Sequence, residues 1–154
     1  VGYQEILLKA FWLAALTAVL WGIVPILDKI GLRKASSMAA LSIRSFSIAV
    51  ALLIFILATG YWKEAVKQDS FSLLIIAIGG LAAGLFGQLA YFQALKLGTT
   101  ASVVPVVASY PLIASALAIT ILREPISPGK VIGAVLVVAG ASVIALDKVF
   151  WPSK

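Results

Sequence analysis

Leu97–Leu122 reads LGTTASVVPVVASYPLIASALAITIL, 26 residues without a charged side chain, and it stops at Arg123-Glu124-Pro125. A run this long and apolar crosses a bilayer, for which about 20 residues suffice. Pro105 and Pro111 interrupt it. Neither has an N–H to give, so the carbonyls of Ala101 and Val107 lose their helical donors. An unpaired carbonyl in lipid costs several kcal/mol, and interrupted backbone is tolerated only against protein or a wet cavity. This span therefore belongs inside a bundle, beside whatever path the protein provides.

The rest of the chain has the composition of such a bundle. Of its 154 residues 62% are hydrophobic and 12% charged, against roughly 45–50% and 25% in soluble domains. The reading is an all-α integral membrane protein forming one compact domain, with no room for a separate soluble one. The net charge of +6 comes from basic residues at segment ends, where they meet lipid headgroups, so it argues for membrane anchoring and against nucleic-acid binding. Cysteine and histidine are both absent, which removes disulfides, thiol chemistry and the commonest transition-metal ligands. No metal or other cofactor is expected. No cleavable signal is expected either, because the apolar run from Phe11 onward is too long for one.

Hydropathy places five spans, at about residues 10–30, 37–60, 71–95, 98–122 and 131–146. In the first, Thr17, Trp21, Pro25 and Asp28 recur at i, i+4, i+8 and i+11 and share a face. Asp28-Lys29 near its end has two readings, a mutual or headgroup pairing and a functional acid. Arg44 lies seven residues into the second span, about 10 Å along the axis. It either snorkels back to the headgroups or faces the bundle as an internal cation. Tyr61-Trp62 closes that span at the interface, and Lys63–Ser70 reads as a charged loop. The third span carries Gly80-x-x-x-Gly84, a small-residue contact for another helix, with Gly87, Gln88 and Tyr91 continuing that face. The fourth places Ser102, Pro105 and Ser109 on one side, next to Tyr110, and the short linker before it makes spans three and four an antiparallel pair. Ser127-Pro128-Gly129-Lys130 is a turn signal. The fifth span repeats Gly133 and Gly140 on a second small-residue face, and Trp151 is an interfacial anchor.

The stretch Tyr91–Leu146 resembles the second part of the EamA domain of the drug/metabolite transporter superfamily. The matching features are Ala94-Leu95-Lys96, Thr100-Ala101-Ser102, Tyr110-Pro111, Arg123-Glu124-Pro125-Ile126-Ser127 and the glycine-bearing last span. Trp21-Gly22 and Arg44 also sit where that domain tends to carry them. The resemblance implies a carrier of small metabolites or drugs, often an exporter, working by alternating access in a multi-pass prokaryotic plasma membrane. It further implies two five-helix halves in opposite orientation, of which this chain supplies one. An odd number of spans turns a fused second copy upside down, as in many inverted-repeat carriers. A single unit reproduces that arrangement only as a homodimer whose chains insert in opposite senses.

The loops permit dual insertion. Lys9, Lys63, Lys67, Arg123 and Lys130 fall on one side, and Lys29, Arg33, Lys34, Lys96, Lys148 and Lys154 on the other. That near-even division gives little orientation bias, since it is Lys and Arg asymmetry that orients a chain.

The expected substrate path lies between spans one to four. Trp21 and Tyr91 offer aromatic faces for a cation or a flat ring. Gln88, Ser109 and the carbonyls freed by Pro105 and Pro111 offer hydrogen bonds, and Arg44 meets a carboxylate if the substrate has one. Asp28 and Glu124 are the candidate acids for proton coupling, and no carboxylate occupies the middle of a span. A competing reading is a non-transporting subunit or scaffold packing through its glycine faces. An intramembrane enzyme is disfavoured by the lack of His, Cys, paired intramembrane carboxylates or a Ser–base pair. A simple channel lacks any sign of a charged or carbonyl-lined ring.

Overall fold

The structure is a computed structural model and describes residues 2–125 and 127–150. Ile126, Trp151 and Lys154 lie outside the described residues, as does the side chain of Lys148. Every element among the described residues is helical: α1 (Tyr3–Gly31), α2 (Ser37–Thr59), the single turn α3 (Trp62–Ala65), α4 (Ser70–Gly80), a π-helical segment (Leu81–Gly87), α5 (Gln88–Leu97), α6 (Thr100–Val107), α7 (Tyr110–Thr120) and α8 (Pro128–Phe150). Four helical stretches are long and apolar enough to cross a membrane: Gln4–Gly31, Ser37–Thr59, Ser70–Leu97 and Thr100–Thr120. At most 6% of the most apolar window in each is buried. The chain does not cover these surfaces itself, so lipid or another chain must.

Local chemistry sets the ends. Ser36 caps α2 by accepting from the Ala39 N–H at 3.1 Å, and α2 stops at Gly60. There the backbone is left-handed (φ 77°) and the N–H returns to the Ile56 carbonyl at 2.9 Å. Glycine alone takes that conformation without a steric penalty. Asp69 caps α4 through the Ser72 N–H at 2.9 Å, and Thr99 caps α6 through the Ser102 N–H at 3.3 Å.

Three expectations about element bounds change. The first helix begins at Tyr3, because nothing before Gly31 breaks it and Glu5 lies in its first turn, where the helix dipole favours an acid. The expected Lys63–Ser70 loop is helical at its start, because α3 (Trp62–Ala65) runs into it. The last helix starts at Pro128, a residue suited to a first turn, where a missing N–H costs nothing.

Two spans depart from regular α-helix, by opposite routes. In the third, the π segment lies between α4 and α5, so the span turns more slowly there and Gly80, Gly84 and Gln88, four residues apart, come into line. In the fourth, α6 ends at Val107, Ala108-Ser109 makes a tight turn, and Tyr110-Pro111 opens α7. Pro111 thus stands in the first turn of a new helix and not within a kinked one, while Pro105 remains inside α6.

The chain divides into two compact units, Leu27–Lys96 and the remainder. In the first unit α2 covers Ser37, Leu41 and Arg44, and α5 covers Gln88, Phe92 and Leu95, each at i, i+4 and i+7. Phe92 and Leu95 are fully buried. In the second unit α6 and α7 pack on α8. The covered face of α8 is Ala134, Val138 and Ala141, beside the expected Gly133 and Gly140. Within the described residues nothing approaches the expected packing glycines: a Cβ on Gly80, Gly84, Gly133 or Gly140 would meet no heavy atom within 4 Å.

Candidate functional site

Asp28 lies one turn before the end of α1, and Arg44 two turns into α2. The Arg44 Nη1 donates to Asp28 Oδ1 at 3.2 Å and Oδ2 at 3.1 Å. The arginine is therefore an internal cation, on the same helix face as buried Ser37 and Leu41. Its side chain is 36% exposed and that of Asp28 14%. Pairing explains how both charges persist at this depth, since an unpaired ion in a span costs on the order of 3 kcal/mol. The guanidinium also sits 6.0 Å from the centre of the Phe92 ring, within cation–π range. Tyr91 is half-buried, with its ring centre 6.1 Å from that of Phe92 and its phenol within electrostatic reach of both members of the pair.

Two lysines fasten the end of α5. The Lys29 ammonium donates to the carbonyl of Leu95, and that of Lys96 to the carbonyl of Ala35 at 3.0 Å. The last carbonyls of a helix lack internal donors and carry its negative dipole end, so ammonium groups suit them. Asp28 takes Arg44 as its partner, which neither sequence reading of Asp28-Lys29 supplied.

Beside the pair opens a groove of about 440 Å³. Arg44, Ser45 and Gln88 border it, with Gly84 and the aliphatic side chains of Leu41, Ile48, Ala49 and Leu52. The amide nitrogen of Gln88 is buried and has no hydrogen-bond partner among the described residues. Buried polar groups are nearly always paired, so this one awaits an acceptor.

The structure thus gathers Asp28, Arg44, Gln88 and Tyr91 in one unit. Trp21, Pro25, Pro105, Ser109, Tyr110, Pro111 and Glu124 belong to the other. There Trp21 and Tyr110 are exposed and Pro25 is buried. The Ser109 hydroxyl donates to the Val106 carbonyl at 2.7 Å, which also accepts the Ser109 N–H at 3.1 Å. Glu124 follows the end of α7. Arg123 is left-handed there (φ 52°), and the Glu124 N–H reaches the Ala118 carbonyl at 3.2 Å. Its carboxylate side borders a second groove of about 440 Å³ together with Lys130 and Ser115.

An intramembrane ion pair beside a groove with unmatched donors is the kind of site that binds a small polar solute. The chain matches the EamA-like transporter family over residues 8–146. It belongs to that family. A protein from Sinorhizobium sp. named "Uncharacterized transporter in cobO 3'region" is 30% identical over 136 residues, covering 88% of this chain and 95% of the relative. No solved structure matches the chain. As an EamA-like transporter it is a multi-pass membrane protein, and the family points to transport and not to catalysis.

Within this EamA-like chain, sequence reasoning missed Phe92 and Ser45. Phe92 had a signal, because it stands at i+4 from Gln88 where Tyr91 stands at i+3. The Asp28–Arg44 pair had one too: opposite charges near the same end of two antiparallel spans.

Proposed function

We propose that this protein is a secondary carrier that exports small metabolites or drugs, and that it works by alternating access as a homodimer of five-helix units. The observation that carries the reading is the half-buried Asp28–Arg44 pair bordering a groove with a partnerless Gln88 amide. Ionisable groups within membrane spans are rare and mark substrate or ion pathways. α8 serves as the fifth span, its apolar stretch Pro128–Ile144 being shorter than the other four. The similarity covers 95% of the Sinorhizobium relative, which therefore has no room for a second unit, in keeping with carriers built from single copies. With five spans, a pseudo-symmetric carrier follows from two chains inserted in opposite senses.

The test is efflux from proteoliposomes loaded with a bacterial metabolite extract and compared with protein-free vesicles by mass spectrometry. Protein-dependent loss of one solute or a small chemical group of solutes is expected. Loss of none would overturn the carrier reading. Side-specific reporters on each terminus should show both orientations in one population, and a single orientation would remove the antiparallel dimer.

A further inference from the structure

Three hydrogen-bonding side chains, those of Arg44, Gln88 and Ser45, border the groove beside α2. A guanidinium carries five N–H groups, and only those of Arg44 Nη1 are matched among the described residues, by Asp28. The Gln88 amide nitrogen is buried and unmatched. The third is the hydroxyl of Ser45. Its neighbours Ser42 and Ser47 donate back to the carbonyls of Met38 and Ile43 at 2.9 and 2.8 Å, whereas Ser45, exposed on the groove, makes no such bond among the described residues. Asp28, the acceptor of the ion pair, does not line the groove. The groove therefore presents donors and one positive charge, and the rest of its wall is aliphatic. A guanidinium fork, an amide and a hydroxyl together match the two oxygens of a carboxylate, and the aliphatic wall matches an apolar body attached to it.

Charge balance adds a condition. When Arg44 turns to a bound carboxylate, Asp28 loses its guanidinium partner and is left as an unpaired carboxylate inside the span, a costly charge. One proton on Asp28 restores neutrality as Arg44 turns to the ligand. Asp28 pairs with Arg44 from α2 and lies within electrostatic reach of Tyr91 from α5, and the adjacent Lys29 ammonium reaches the Leu95 carbonyl. We propose that Arg44, Ser45 and Gln88 form a subsite for the carboxylate of a small organic acid with an apolar body, and that each carboxylate bound places one proton on Asp28. This rests on the carrier reading and names its substrate class.

Binding of radiolabelled benzoate to the purified full chain in phosphatidylcholine nanodiscs tests it, measured against empty nanodiscs, with proton uptake followed by an indicator dye in lightly buffered solution. Saturable binding with about one proton per benzoate is expected, and neutral benzamide should not compete. Losing one hydrogen bond to a charged group corresponds to about ten-fold in affinity, so Gln88→Leu and Arg44→Lys should each weaken binding by about that factor. Asp28→Asn should bind benzoate without proton uptake. Ser45→Ala gives a mild variant, and size-exclusion profiles establish that each protein is folded. Absence of saturable binding, equal competition by benzamide, unchanged affinity in folded Gln88→Leu and Ser45→Ala, or proton uptake that persists in Asp28→Asn overturns the proposal. Loss of binding when phosphatidylglycerol replaces part of the lipid also overturns it, by assigning the donors to a headgroup. A carrier of neutral or cationic solutes would fail here and still pass the efflux test, so the two failures are distinguishable.

Discussion

The third and fourth spans are both irregular, and they reach irregularity from different residues. Between Gly79 and Gly87 the chain relaxes into a π segment, which keeps a hydrogen-bonded ladder while changing its pitch. Between Pro105 and Pro111 the ladder is cut, and two helices meet at Ala108-Ser109. Glycine permits the first because it crowds nothing, whereas proline compels the second because it lacks a donor. The difference extends to their surroundings. The π segment leads into α5, whose Gln88, Tyr91 and Phe92 gather around the ion pair, while the proline break lies in the unit where the serine hydroxyl is tied to its own backbone. One irregularity presents polar side chains, and the other joins two helices through a tight turn.

The ion pair is where that contrast is easiest to break. Asp28→Ala leaves Arg44 without its carboxylate inside the span, and removing one partner of a buried pair costs about 3 kcal/mol. Unfolding in a mixed-micelle denaturant series should show a loss of that size, and Arg44→Ala should show a similar one. The double variant should lose less than the two single losses combined, because no charge is left stranded. Additive losses would mean the two side chains act independently.

The proline break comes next. A proline within a helix is about 3 kcal/mol less favourable than alanine, offset in part by its stiffening of the unfolded chain. Replacing both, Pro105→Ala with Pro111→Ala, should raise stability by about 1–2 kcal/mol. It should also fuse α6 and α7 into one helix, as spin-label distances across the join would report. If transport then slows, the joint moves during the cycle, and an unchanged rate would reduce it to a packing detail.

The spans were legible because hydropathy alone identifies them, and α6–α7 was marked by its prolines. Less could be read of the π segment. Gly79, Gly80, Gly84 and Gly87 permit α, π or a tight crossing equally, and the choice depends on packing that no local pattern encodes. Within the chain α8 is covered at Ala134, Val138 and Ala141, one residue away from the Gly133 and Gly140 face, which is left open to a helix of another chain. The ion pair was half legible. Each charge stood out in its span, but their meeting required the antiparallel alignment of α1 and α2 at a common depth.

Two glycines sharpen the π segment. A Cβ on Gly84 would enter open space, and one on Gly87 would come within 3.2 Å of the Ala82 carbonyl oxygen. Gly84→Ala should therefore gain the helix preference of alanine, about 0.5–1 kcal/mol. Gly87→Ala should fail to gain it, because the carbonyl must give way. Equal effects in the same denaturant series would show that the carbonyl yields freely.

The smallest effect concerns the caps that start the two irregular spans. Asp69 begins the glycine-bearing span and Thr99 the proline-bearing one, so one cap titrates and the other does not. Hydrogen bonds from Ser72, through its side chain and then its backbone N–H, hold the Asp69 carboxyl below the ordinary carboxylate range. The ionised cap therefore contributes fully above the unfolded value of about 3.9 and is lost as pH falls through the lower folded value. Amide exchange corrected for intrinsic rates should show Ser72 and Leu73 losing protection between about pH 5 and pH 2.5, while Ser102 and Val103 keep theirs. Equal losses at both starts would place the acid sensitivity elsewhere, and Asp69→Asn should flatten the response at the first start alone. Its amide still accepts from the Ser72 N–H but has no proton to gain over that range.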